Sequence, residues 1–172
     1  MNEAERITSP GCAPVELAKH YLHPGQVFAT SEPYAVTTIL GSCVAVCLWD
    51  ARSQVAGINH YMLPLWSRSG HSSPRFGNVA MGQLIRKTLA LGAEKECLRA
   101  KLFGGACVLA ALGSVNSDLG AKNIELARQI LNQEGIPVVA EDSGGDFGRK
   151  LIFNTVSGSV MVKKIAQVSG WK

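Results

Sequence analysis

The residue of this sequence best placed for covalent chemistry is Cys43, which follows directly on Leu40-Gly41-Ser42 at a break between two strand-like runs. Gly41 lets the backbone turn sharply there, so that the thiol and the Cys43 amide can both face an incoming carbonyl. The partner such a thiol needs is a base, and His60 is the candidate. The apolar runs Val44 to Trp49 and Val55 to Met62 flank the polar loop Ala51-Arg52-Ser53-Gln54 and read as a β-hairpin. A four-residue loop that pairs Asp50 with Val55 sets His60 opposite Ala45, on the face of Cys43 and one diagonal step from it. Diagonal neighbours are roughly 7–8 Å apart, within reach of two side chains. A register slip of one residue would put them on opposite faces. With that register, the imidazole draws the proton from a thiol whose free pKa is about 8.5, and the thiolate attacks. A threonine hydroxyl such as Thr37, with Thr38 beside it, would hold the ring where other triads use Asp or Asn.

The plainer reading of the same residues is structural: a free cysteine usually packs as a small hydrophobe, and a histidine at a strand end usually satisfies its neighbours. Cys47, on the same strand face as Cys43, and Cys107, in an apolar run, are expected in the core. Cys12 and Cys97 have no histidine near them in sequence, and His71 sits in a Ser/Pro-rich loop. A Cys43–Cys47 redox pair is disfavoured because residues i and i+4 of one strand are too far apart for a disulfide. The glycine clusters Phe103-Gly104-Gly105-Ala106 and Ser143-Gly144-Gly145-Asp146-Phe147-Gly148-Arg149 lack the companions of a phosphate-binding loop. They read as tight turns, with Gly104-Gly105 able to line a cleft.

The chain has 172 residues, 47% of them hydrophobic, enough for one substantial core. Its net charge of +4 is spread along the sequence, which argues against a nucleic-acid stripe. No apolar run approaches a membrane span and no secretion signal opens the sequence, so a cytoplasmic protein without direct membrane insertion is expected. Five cysteines without a C-x-x-C pair point away from structural disulfides and from zinc.

Residues 1–21 read as a mobile tail and 22–172 as a single domain. Val27 to Thr30, Tyr34 to Leu40, Leu98 to Phe103, Val138 to Glu141, Leu151 to Asn154 and Val160 to Ile165 are strand-like beside the hairpin, and Pro64 to Pro74 is a loop. One helix is expected near Phe76 to Leu91, with Ala80, Leu84, Thr88 and Leu91 on one face and Gly92 as its stop. A second is expected from about Gly120 to Glu134, with Ile124, Ala127 and Leu131 inward. The fold class that follows is α/β or α+β, a single-domain layered sandwich of mainly antiparallel or mixed sheet with two principal helices.

Four separated motifs then acquire a meaning together: Leu40-Gly41-Ser42-Cys43-Val44-Ala45-Val46, Asn59-His60-Tyr61-Met62-Leu63-Pro64, Ala100-Lys101-Leu102-Phe103-Gly104-Gly105-Ala106, and Gly144-Gly145 followed by Gly148-Arg149. In this order they resemble the chemoreceptor glutamine deamidase family, CheD, over nearly everything from about Leu22 to Ile165. The resemblance implies a cysteine, histidine and threonine set, falling by motif position on Cys43, His60 and Thr37. It implies a compact α/β sandwich, no metal or organic cofactor, and deamidation of glutamines on the cytoplasmic helices of methyl-accepting chemoreceptors through a thioester. The same acyl chemistry would cleave a glutamyl methyl ester as a side activity, and a CheC-like phosphatase is a further expected partner. The alternative is a binding module that regulates a receptor or such a phosphatase without catalysis. Arg75-Phe76-Gly77-Asn78-Val79-Ala80 departs from the family, many members of which carry a tyrosine and an acidic residue there.

Overall fold

The computed structural model describes residues 15–107 and 118–165. Among the described residues, nine strands and two α-helices appear in chain order: β1 (Ala18–Tyr21), β2 (Gln26–Thr30), β3 (Tyr34–Leu40), β4 (Val44–Asp50), β5 (Val55–His60), α1 (Gly77–Ala90), β6 (Arg99–Gly104), α2 (Leu119–Gln133), β7 (Val138–Ser143), β8 (Gly148–Asn154) and β9 (Val160–Ile165). The strands form a four-stranded sheet in the order β1-β3-β8-β9 and a five-stranded sheet in the order β2-β5-β4-β6-β7. Pairing is antiparallel except for β1 with β3 and β6 with β7, so the sheets are mixed, as expected.

Two apolar clusters define three layers. In the first, Val44, Val46 and Leu48 of β4 meet Ala80, Met81 and Leu84 of α1 and Ile124, Ala127 and Leu131 of α2. In the second, Ala45 and Cys47 of β4 and Ala56 and Ile58 of β5 meet Val36 and Leu40 of β3 and Leu151 and Phe153 of β8. The five-stranded sheet is therefore sandwiched, with helices on one face and the second sheet on the other. That is why β4 reads as an unbroken apolar run rather than an alternating one.

At Gly57 the helix α1 comes close to β5. A Cβ there would lie 2.7 Å from Thr88 Cγ2 and 2.8 Å from Leu84 Cδ1. Asp50 closes the β4–β5 hairpin. Its buried carboxylate accepts from Arg52 N at 2.9 Å, Ser53 Oγ at 2.8 Å and Glu94 N at 3.0 Å. Burial works to raise this carboxyl, and the donors nevertheless hold it below the usual carboxylate range. So tied, the loop fixes Asp50 opposite Val55, the register that the hairpin reading needs.

Two expectations are corrected. The supposed tail ends earlier than residue 21, because Ala18–Tyr21 pairs in parallel with β3 from Ala18↔Tyr34 to Tyr21↔Thr37. Four residues show no period of their own, and their partner lies on a distant part of the chain. The rest of the expected tail, residues 1–14 with Cys12, lies outside the described residues. Leu91 does not share the buried face of Ala80, Leu84 and Thr88. The helix stops at Ala90 and Leu91 is 44% exposed in the turn that leads to Gly92, whose φ of +101° ends the helix.

Candidate functional site

Cys43 closes the corner Gly41-Ser42-Cys43 between β3 and β4 and is half-buried. The β4–β5 register runs from Asp50↔Val55 to Cys47↔Ile58 and resumes at Val44↔Tyr61, which places His60 across from Ala45. Cys43 packs with the cluster between the sheets, the side of β4 on which Ala45 and Cys47 lie and of β5 on which Ala56 and Ile58 lie. By strand alternation His60 shares that side. The side chain of His60 is almost wholly enclosed, at 1% exposure.

The hydroxyl that meets the ring belongs to Thr38, not to Thr37. Thr38 Oγ1 lies 2.8 Å from His60 Nδ1, whereas Thr37 points to the other face of its sheet and contributes its backbone carbonyl to Leu22 N at 2.9 Å. The reason is the two-residue period of β3. Val36, Thr38 and Leu40 are buried toward the facing sheet, and Thr37 and Ile39 alternate outward. A Thr38→Val substitution is expected to slow alkylation of Cys43 on the order of 10²-fold, the scale of a mispositioned proton-transfer group. Thr37→Val should stay within about twofold, the scale of a peripheral substitution. Alkylation rates of Cys43 in the two variants check this; an equal response of both would remove Thr38 from the site.

The same hydroxyl fixes the tautomer of the ring. Thr38 Oγ1 also lies 2.8 Å from the Leu22 carbonyl oxygen, which can only accept. The single hydroxyl hydrogen is spent there, so Thr38 accepts from Nδ1–H, and the lone pair of the neutral ring is left on Nε2. Nε2 is buried and has no hydrogen-bond partner. Burial also pushes the His60 pKa down to about 4, so the ring is a neutral base at physiological pH. Burial pushes the Cys43 thiol up, opposed by a hydrogen bond from its own amide. The pair at neutral pH is thus thiol and imidazole, not thiolate and imidazolium.

Both glycine clusters build the corner that carries Cys43. The Gly41 carbonyl accepts from Ala106 N at 2.9 Å, and the Cys43 carbonyl from Gly105 N at 2.8 Å. A Cβ on Gly104, whose φ is +103°, would overlap the Cys43 carbonyl oxygen, which is why no side chain fits at that position. The second cluster braces the first: Gly144 N donates to Gly104 O at 2.8 Å and Cys107 N to Gly145 O at 2.7 Å. Arg149, 4% exposed, anchors that loop through two hydrogen bonds to Asp142 Oδ1, at 3.0 and 2.8 Å, and one to Phe147 O.

One participant escaped the sequence reading. Asn123 of α2 is fully buried and donates to Ser42 O at 3.1 Å and Met62 O at 2.9 Å. Only its place on the inward face of α2 hinted at it, and an asparagine there reads as an ordinary interface polar group.

Cys47 is buried in the core, as expected, with its thiol pushed up strongly by burial. A cavity of about 200 Å³ lies between Cys47, Trp49, Lys101, Phe153 and Gly158. Trp49 stands six residues along β4 from Cys43, about 20 Å in an extended strand. Among the described residues, no three His, Cys, Asp or Glu side chains cluster as metal ligands would, and no helix is long and apolar enough to cross a membrane.

Fold and site together define a three-layer α/β/β protein with a cysteine–histidine–threonine constellation where its two sheets meet. The chain belongs to the CheD chemotactic sensory transduction family, whose model matches residues 62–164. It is similar to a protein of Trichlorobacter lovleyi, 48% identical over 146 residues, covering 85% of this chain and 90% of the relative. A relative from Sulfurimonas denitrificans is 43% identical over 151 residues, covering 88% and 97% of the two chains, and one from Anaeromyxobacter dehalogenans is 45% identical over 148 residues, covering 86% and 85%. The first two bear the name "Probable chemoreceptor glutamine deamidase CheD", and the third the same name with the numeral 1.

Proposed function

We propose that this protein converts glutamine side chains of methyl-accepting chemoreceptors to glutamate, with Cys43 as nucleophile, His60 as the group that moves its proton and Thr38 as the residue that orients His60. Family membership and the names of the relatives support the substrate class. The observation that carries the mechanism is the Thr38–His60 contact, which leaves a buried, unpaired Nε2 lone pair on the face of Cys43.

His60 Nε2 takes the thiol proton as Cys43 Sγ forms a bond to the carboxamide carbon. The tetrahedral intermediate collapses with loss of the C–N bond, and the proton held by His60 passes to the departing nitrogen, which leaves as ammonia. The thioester is then hydrolysed by a water that gives a proton to His60, and the thiol is restored as glutamate is released. One water is consumed and one ammonia formed per glutamine. The same acyl chemistry would accept a glutamyl methyl ester, with methanol as the leaving group. Each turnover adds a negative charge to the receptor, which changes its electrostatics and creates a carboxylate.

Intact-mass analysis of a chemoreceptor cytoplasmic fragment incubated with the protein tests the reading. A gain of about one mass unit per modified site is expected, assigned by peptide mapping to glutamine positions, since amide-to-acid conversion exchanges NH2 for OH. No gain with several receptor fragments would overturn it.

A further inference from the structure

The three carbonyls of Gly41-Ser42-Cys43 are captured in succession by Ala106 N, Asn123 Nδ2 and Gly105 N. The first and last are backbone donors from the glycine clamp. The middle one, on Ser42, is held by a side chain from a different layer of the protein. We infer that Asn123 is a positioning residue that fixes the Ser42–Cys43 peptide so that the Cys43 N–H serves as the oxyanion donor. This inference rests on the proposed acyl chemistry at Cys43.

The peptide is trans, since no cis bond is present among the described residues, so its C=O and N–H point in opposite directions. Asn123 draws the Ser42 carbonyl toward α2, on the helical face of the five-stranded sheet. The N–H of Cys43 is thereby turned to the opposite side, where the thiol packs and where His60 faces. Among the described residues this N–H has no acceptor beyond the thiol of its own residue. A donor with no partner outside its own residue, next to the nucleophile and on its side of the sheet, is what a developing oxyanion requires.

Asn123 is more than a filler at this position. Its two amide hydrogens are both spent, on Ser42 O just before Cys43 and on Met62 O just past His60 and Tyr61, so one side chain ties together the chain segments that carry both reacting groups. Its own backbone carbonyl accepts from Tyr61 Oη at 2.5 Å, and Tyr61 exchanges both backbone hydrogen bonds with Val44, the neighbour of Cys43. The amide oxygen Oδ1 is buried with no partner. An unsatisfied acceptor is a cost that an apolar residue would avoid, and the two carbonyls held by Nδ2 give it a compensating role.

The test compares wild type, Asn123→Ala, Asn123→Asp and Asn123→Ser in two reactions of the same thiol: deamidation of a receptor fragment, which builds an oxyanion, and alkylation of Cys43 by iodoacetamide, a displacement that builds none. For Asn123→Ala and Asn123→Asp, kcat is expected to fall about 10- to 100-fold with KM within about threefold, because a donor is misdirected rather than removed. Alkylation should stay within about twofold of wild type across pH, and Asn123→Ser, which keeps one donor, should fall between. A purely structural role would depress both reactions in parallel. That result overturns the inference, as does an unchanged kcat in all variants. Should the Ala and Asp variants not fold, the ratio of the two rates in Asn123→Ser decides alone. A wild-type protein that alkylates at Cys43 but deamidates nothing would overturn the acyl-transfer reading itself, and the inference with it.

Discussion

Replacing Cys43 by alanine will reduce deamidation of a receptor fragment to the uncatalysed background, a loss on the order of 10⁵-fold or more, because the proposed acyl bond forms on the Cys43 thiol. Cys47 cannot substitute: it is 1% exposed and its thiol is held protonated by burial. The fold should survive, since the change removes one sulfur from a half-buried position and leaves the backbone hydrogen bonds of Gly41 to Cys43 intact. Binding of the receptor fragment should therefore be retained. That combination separates an enzyme from a docking module: a module that only binds shows no mass gain in either form, and an enzyme loses the gain while still binding. A gain that persists in the alanine variant would place the nucleophile elsewhere.

His60→Gln is expected to lower kcat by about 10²- to 10⁴-fold, the range assigned to a positioned acid–base group, while a glutamine still fills the site and can hydrogen-bond Thr38. The pH profile carries the sharper information. With a His60 pKa of about 4, kcat/KM in the wild type should hold steady down through pH 6 and fall only near pH 4. An acid limb near 6.5 would mean that the ring is solvated in the working protein. Stability should follow the same group. The folded-state pKa of about 4 lies below the unfolded value of about 6.5, so between these pH values the unfolded chain holds the extra proton. The contribution of His60 is thus fully present above pH 6.5 and is lost as the pH falls through 4. It amounts to roughly 3 kcal/mol in total. Urea midpoints from pH 4 to 8 should decline toward acid in the wild type and decline less in His60→Gln. Identical slopes would show that His60 is not titrating as its burial demands.

The sequence by itself determined the hairpin that brings Cys43 and His60 to one face of the sheet. Cys43 after Gly-Ser, His60 on the next strand, and a four-residue loop that admits one sensible register are all local facts, and the Asp50–Val55 pair of the structure agrees with them. Local period also determined α1 and α2 to within a residue or two, because a buried stripe on a helix is written in its own sequence. Tertiary structure alone decided the rest. Thr37 and Thr38 are chemically alike, and only the packing of β3 against the five-stranded sheet chooses which faces His60. The pairing of β1 with β3 brings Leu22 to the Thr38 hydroxyl, and with it the tautomer of the base. Asn123 acquires its role from the docking of α2 across the chain beside Ser42 and Met62, contacts separated by 81 and 61 positions in sequence. Side-chain alternation and helical stripes are short-range consequences of backbone geometry, so a sequence displays them; which layer faces which is fixed by burial summed over the whole chain, and no single segment records it.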